Sequence, residues 1–152
     1  MSDETLRSIE LTKIGDARFK ATNARGGETF MGTGGLDPDF TPVELLLAAI
    51  AGCSAIDVDL ITAKRGTSTH FEIEAAGEKV RDENGSHLSG LRLTFDVVFP
   101  DGPEGDAARE FLPRAIEMSR DRLFTVSRTV QLGADVTYEQ SADRHPGDVD
   151  RP

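Results

Sequence analysis

The stretch Thr41-Pro42-Val43-Glu44-Leu45-Leu46-Leu47-Ala48-Ala49-Ile50-Ala51-Gly52-Cys53-Ser54-Ala55-Ile56-Asp57-Val58 decides the fold. Its opening is a helix start: Thr41 stands at the N-cap, Pro42 at the first helical position and Glu44 three residues after the cap, the pattern of a capping box. From Val43 to about Lys64 apolar residues fall on nearly every face, which predicts a helix buried on most of its surface. Roughly 22 residues at ~1.5 Å each span ~33 Å, the width of a small domain. Ala48, Ala49, Ala51, Gly52 and Ala55 leave room for another backbone to approach closely. Arg65-Gly66 closes the helix, with positive charge in the last turn and glycine beyond it.

Upstream of this helix lie three short alternating segments, Ile9 to Ile14, Arg18 to Thr22 and Glu28 to Met31, separated by Gly15-Asp16 and Arg25-Gly26-Gly27, which read as an antiparallel meander. A glycine-rich loop, Gly32 to Phe40, leads into the helix. Downstream, His70 to Val80 and Leu88 to Phe99 alternate with period two and are joined by Asp82-Glu83-Asn84-Gly85, the signature of a long hairpin. Asp106 to about Arg122 reads as an amphipathic helix with Ala107, Phe111, Ala115 and Met118 inward and a kink at Pro113. A short helix from Thr125 to about Gln131 and a last strand, Val136 to Glu139, complete the order β-β-β-α-β-β-α-α-β. The fold class is α+β, antiparallel strands wrapped around a long buried central helix, in one domain over residues 1–140 with a disordered polar tail over 141–152.

Composition narrows the function classes. Seventeen Lys and Arg against twenty-seven Asp and Glu give a net charge of −10, so the surface repels phosphate backbones and anionic lipid heads; nucleic acid and membrane are not expected partners. Met1 to Arg7 is polar and acidic rather than a secretory signal, and no apolar run is taken as long enough to cross a bilayer, so the expected location is the cytoplasm. His70, His87 and His145 are dispersed without metal-ligand spacing, and neither metal nor cofactor is expected.

The single cysteine excludes an internal disulfide. A lone thiol in an apolar helix serves either as a small buried hydrophobe or as a nucleophile, and the second role needs an activator. The helix N-terminus is too distant, because Cys53 lies twelve residues past the cap (53 − 41 = 12) and the field fades after the first turn. Asp57, one turn on, shares its face. Arg18 and Arg25 are the candidate activating cations, each equally readable as a solvated surface residue. Glu44 is nine residues before Cys53, which is 2.5 turns of ideal helix, so the two side chains point to opposite faces.

The quoted Thr41–Val58 stretch resembles the core-helix signature of the OsmC/Ohr (organic hydroperoxide resistance) family, closest to its YhfA-like branch. A second stretch, Ser119-Arg120-Asp121-Arg122-Leu123-Phe124-Thr125-Val126-Ser127-Arg128-Thr129-Val130, is similar to the segment that carries that family's second cysteine. The resemblance covers about Ile9 to Glu139. It implies an intertwined homodimer with two sites near the subunit boundary, and reduction of organic hydroperoxides: one thiol attacks the peroxide, a second condenses with the resulting sulfenic acid, and a dithiol restores both. Cys53 matches the attacking, catalytic position. Phe124 stands where the second cysteine is expected, and Val43 where the hydroperoxidase branch carries a glutamate, with the acid displaced to Glu44. Two functions follow: a one-cysteine thiol peroxidase that uses an external thiol or dithiol, or a binding module whose cleft beside Cys53 and Phe124 holds a small apolar molecule or carrier-borne group.

Overall fold

The computed structural model describes residues 5–122, 124–142 and 145–148. Its elements run β1 (Glu10–Gly15), β2 (Arg18–Thr22), β3 (Glu28–Met31), α1 (Pro42–Thr62), β4 (His70–Asp82), β5 (Gly85–Val98), α2 (Pro103–Arg122) and α3 (Thr125–Leu132). The strands β1-β2-β3 form one antiparallel sheet and β4-β5 a separate two-stranded one. The fold is thus α+β with antiparallel strands and a long central helix. The expected tail over residues 141–152 falls largely outside the described residues; within it, Pro146–Asp148 form a single 3₁₀ turn.

The capping box starts α1. The Glu44 N–H donates to Thr41 Oγ1 at 3.2 Å, and the Thr41 N–H donates to Glu44 Oε1 at 2.9 Å. Two otherwise orphaned donors are thereby satisfied. Hydrogen bonding of the Glu44 carboxylate with the Thr41 hydroxyl and, second, with the Thr41 N–H pulls its pKa below the usual value of 4.5. At the other end the sequence reading needs correcting. No basic residue lies in the last turn; the Arg65 guanidinium instead lies over the Phe111 ring, 3.4 Å from its centroid. Gly66 is required by a close approach, since a Cβ there would meet the Glu104 carbonyl oxygen at 2.7 Å.

The hairpin follows the alternation. Ile73 pairs with Phe95 and Ala75 with Leu93 on one face, Glu72 with Asp96 and Glu74 with Thr94 on the other. The apolar face meets α1 and α2, where Val58, Ile61 and Ala115 form the buried centre, packed by Phe71, Phe95, Phe111, Leu112, Ile116 and Met118. Phe71 and Phe95 meet edge to face at 6.4 Å. On α2 the inward residue is Ala108 rather than the expected Ala107, which is exposed, and the helix runs unbroken through Pro113.

Three expectations fail in the single chain. Helix α1 is not covered on most of its surface: Ile50, Asp57, Val58, Ile61 and Thr62 are buried, while Ile56 and Leu60 remain 66% and 62% exposed. By length and composition α1 is also long and apolar enough to span a bilayer, contrary to the sequence reading. Asp57 at its inner face forms an ion pair with α2, the arrangement of a core helix. The segment read as a last strand, Val136 to Glu139, makes no ladder, and Val136 and Tyr138 are exposed. Leu11 and Ile14 of β1 and Phe30 of β3 are exposed as well. A chain that hydrophobic at its edges has more apolar surface than its own elements cover.

Thr41→Ala should lower unfolding free energy by about 1 kcal/mol in urea titrations through loss of the cap. Glu44 gives a second check. Its folded-state pKa lies below the unfolded one, so the carboxylate stabilises fully above about pH 4.5 and loses this contribution as pH falls through the folded value. Melting temperatures of wild type and Glu44→Gln should therefore differ most at neutral pH and converge in acid.

Candidate functional site

Cys53 is half-buried on α1. Leu46, Ala49, Cys53, Ile56 and Leu60 follow one another at helical spacing and share one stripe. The four apolar neighbours of Cys53 along that stripe are all exposed. The thiol thus sits in the middle of the uncovered apolar surface of the central helix, while the buried face, centred on Ile50, Ser54, Val58 and Ile61, lies about 100° further round the axis.

The residues considered as activators are placed elsewhere. Arg18 is committed to the loop that precedes α1: its Nε is 3.0 Å from Asp37 Oδ2, and Nη2 is hydrogen-bonded to Asp39 Oδ2. These contacts, the Asp39 hydrogen bond first, raise the Arg18 pKa further above its usual range. Cys53 lies eleven residues beyond Pro42 (53 − 42 = 11), ~16 Å along the helix from its start, so Arg18 does not reach the thiol of its own chain. Arg25 sits in the Asn23–Gly27 turn, its N–H donating to Asn23 Oδ1 at 3.0 Å. Glu44 is the capping acid.

Asp57 behaves as a structural anion. Its side chain, 10% exposed, pairs with Arg122 Nη1 at 3.6 Å and ties α1 to the end of α2; the second oxygen, Oδ2, is buried with no hydrogen-bond partner among the described residues. Arg122 was visible in the second motif, but only the packing of α1 on α2 identifies it as the counter-ion. Phe124 is half-buried at the start of α3, where its carbonyl accepts the Arg128 N–H at 2.8 Å. Its neighbour Leu123 lies outside the described residues.

A cavity of about 430 Å³ opens between α1, the hairpin, α2 and α3. Its apolar walls include Leu47, Ile50, Leu93, Phe95 and Ile116. Neither Cys53 nor Phe124 lines it, so the cleft expected beside those two residues is found on the buried side of α1 instead. Sequence spacing also missed a surface cluster that strand register assembles: Glu72 opposes Asp96 across the ladder, and His70 Nε2 lies 3.0 Å from Asp96 Oδ2 and 3.9 Å from Glu72 Oε2. The three side-chain atoms lie within 4.8 Å of one another on the solvent side of the hairpin.

An antiparallel hairpin closed over a capped, apolar helix with one thiol at mid-length defines a class of α+β proteins. The chain belongs to the OsmC family: the family model for OsmC-like protein matches residues 32–139. An uncharacterised protein of Mycobacterium tuberculosis is 28% identical over 135 residues, covering 88% of this chain and 96% of the relative. YhfA of Escherichia coli is 27% identical over 121 residues, 79% of this chain and 86% of its own. Among solved structures, an OsmC-like protein of unknown function from Vibrio cholerae superposes with a TM-score of 0.69 at 16% identity, over 84% of this chain and 94% of that one.

The Asp57–Arg122 pair yields a quantitative expectation. Arg122→Met strands a carboxylate that is nine-tenths buried; because Arg122 is half exposed, the loss should be about 2 kcal/mol, below the ~3–5 kcal/mol of a fully buried pair. Asp57→Asn in the same background should recover part of it, measured as a double-mutant cycle in urea.

Proposed function

We propose that this chain reduces organic hydroperoxides through Cys53, acting as a one-cysteine thiol peroxidase in the cytoplasm. The observation that carries the reading is the position of Cys53, a half-buried thiol in the middle of an apolar stripe; the resemblance of the core-helix stretch matches it to the peroxide-attacking residue. An apolar approach suits the alkyl part of a hydroperoxide, and partial exposure leaves the sulfur reachable.

The chemistry runs in three balanced steps. The Cys53 thiolate attacks the outer peroxide oxygen, the O–O bond breaks, and the alkoxide leaves and takes a proton to become the alcohol, which leaves Cys53 as a sulfenic acid. With phenylalanine at position 124, the sulfenic acid condenses with an external thiol, releasing water and forming a mixed disulfide. A second equivalent of thiol, or the second sulfur of a dithiol, attacks that disulfide and returns Cys53 to the thiol.

The reading includes a second copy of the chain laid over the Leu46–Leu60 stripe. Ile56 and Leu60 are left bare by the chain's own elements, and the exposed faces of β1 and β3 need cover too. A partner over this stripe removes Cys53 from bulk water and is the source of the cation that Arg18 and Arg25 of the same chain do not bring to the thiol. Light scattering should accordingly give a dimer at micromolar concentration; a folded monomer would count against this part.

Purified protein mixed with cumene hydroperoxide in stopped flow should lose its thiol much faster than free cysteine at the same pH, and a rate equal to free cysteine would defeat the proposal. Without reductant, mass spectrometry should find over-oxidation of Cys53 to sulfinic acid. Phe124→Cys should halt at an internal disulfide, provided the Cα atoms come within roughly 4.4–6.8 Å of each other.

A further inference from the structure

The cavity on the buried side of α1 serves no step of that chemistry, yet it carries features that a simple packing defect lacks. Its volume of about 430 Å³ lies within the ~300–1,000 Å³ of small-molecule sites. Its walls are mainly aliphatic and aromatic. Its charged lining groups are of one sign: Arg92 and Arg120 stand beside the neutral Ser54, Ser119, Ser127 and Gln131, with no acid among them.

Two independent observations point to an anionic occupant. Arg92 and Arg120 both line the cavity, in a chain whose net charge is −10. Arg120 is partly engaged by Asp121 at 3.1 Å, whereas Arg92 makes no ion pair among the described residues. Ser127 of α3 also lines it, beside Val130 and Gln131 on the same side of that helix. Finally, Ser119 projects into the cavity from α2. It is 5% exposed, and its Oγ has no hydrogen-bond partner among the described residues, a donor left unmet at a cost unless something in the cavity accepts from it.

We propose that this cavity binds a small amphipathic carboxylate of the medium-chain fatty-acid type. The alkyl chain lies along Leu47, Ile50, Phe95 and Ile116. The carboxylate accepts from the Ser119 hydroxyl and is paired by Arg92 and Arg120. Uncharged apolar molecules fill the same walls but leave the arginines and the Ser119 hydroxyl unanswered; alkylammonium ions meet repulsion from both arginines. Because Ser54 lines the cavity and Cys53 does not, the bound carboxylate lies about 100° round the helix from the thiol and is not itself the molecule reduced.

Octanoate is the test ligand, with octanol and octylamine as controls, all titrated calorimetrically into the full-length protein without peroxide. Octanoate should bind at one site per chain and raise the melting temperature, with octanol weaker by about tenfold and octylamine weaker still. Arg92→Met and Ser119→Ala should each weaken octanoate severalfold while leaving octanol nearly unchanged, with circular dichroism checking the fold. Equal affinity for octanoate and octanol in wild-type protein would overturn the proposal without relying on any variant. So would the absence of heat and of a melting shift at millimolar octanoate, or retention of full affinity in Arg92→Met. No peroxide is present, so the outcome stands apart from that of the Cys53 chemistry.

Discussion

A helix that is apolar around nearly its whole circumference must be covered on every side, and the molecule can be understood as the set of devices that supply that cover. The capping box at Thr41 and Glu44 fixes where the helix starts, at modest energetic weight. The hairpin and α2 then close one side, with Val58 and Ile61 driven into contact with Phe71, Phe95 and Ala115. Hydrophobic burial on this scale outweighs the cap beside it: a fully buried valine contributes ~1.5–3 kcal/mol, whereas a helix cap contributes ~1 kcal/mol. The other side stays bare in one chain, and the cysteine lies on it.

That division of the helix into a closed side and an open side separates two kinds of chemistry. On the open side the thiol has apolar neighbours, and neither Arg18 nor Arg25 is placed beside it. On the closed side the walls are supplied by the chain itself. A single turn of sequence, Gly52-Cys53-Ser54, addresses both, because successive residues on a helix point about 100° apart.

Local signals were legible where a short-range rule determines the outcome. Thr41-Pro42-Val43-Glu44 announced the helix start, Asp82 to Gly85 the hairpin turn, and the alternation of Phe71, Ile73 and Ala75 the inner face of β4; all three appear as read. The family was legible as well, from the core-helix stretch and from the segment around Phe124. Pairings between distant segments were not. That Arg122 neutralises Asp57, that Arg18 turns to Asp37 and Asp39, and that His70 meets Asp96 depend on helix crossing and strand register, which no window of residues contains. The extent of burial on α1 was overestimated for a related reason: periodicity reports that a face is apolar, not whether the chain's own elements cover it. On α2 the inward face was misjudged by one residue, Ala107 for Ala108, because alanine at either position fits the same pattern.

One further feature is useful because of its rarity. The chain has one tyrosine and no tryptophan, and that tyrosine, Tyr138, stands 93% exposed in the C-terminal segment after α3. The intrinsic fluorescence of the whole protein is therefore the emission of a single ring at a single place. Its quenching by iodide or acrylamide reports on whether anything has settled over that segment, and it is nearly blind to the core. A signal that on most proteins averages over many sites is here a local gauge, available without a label.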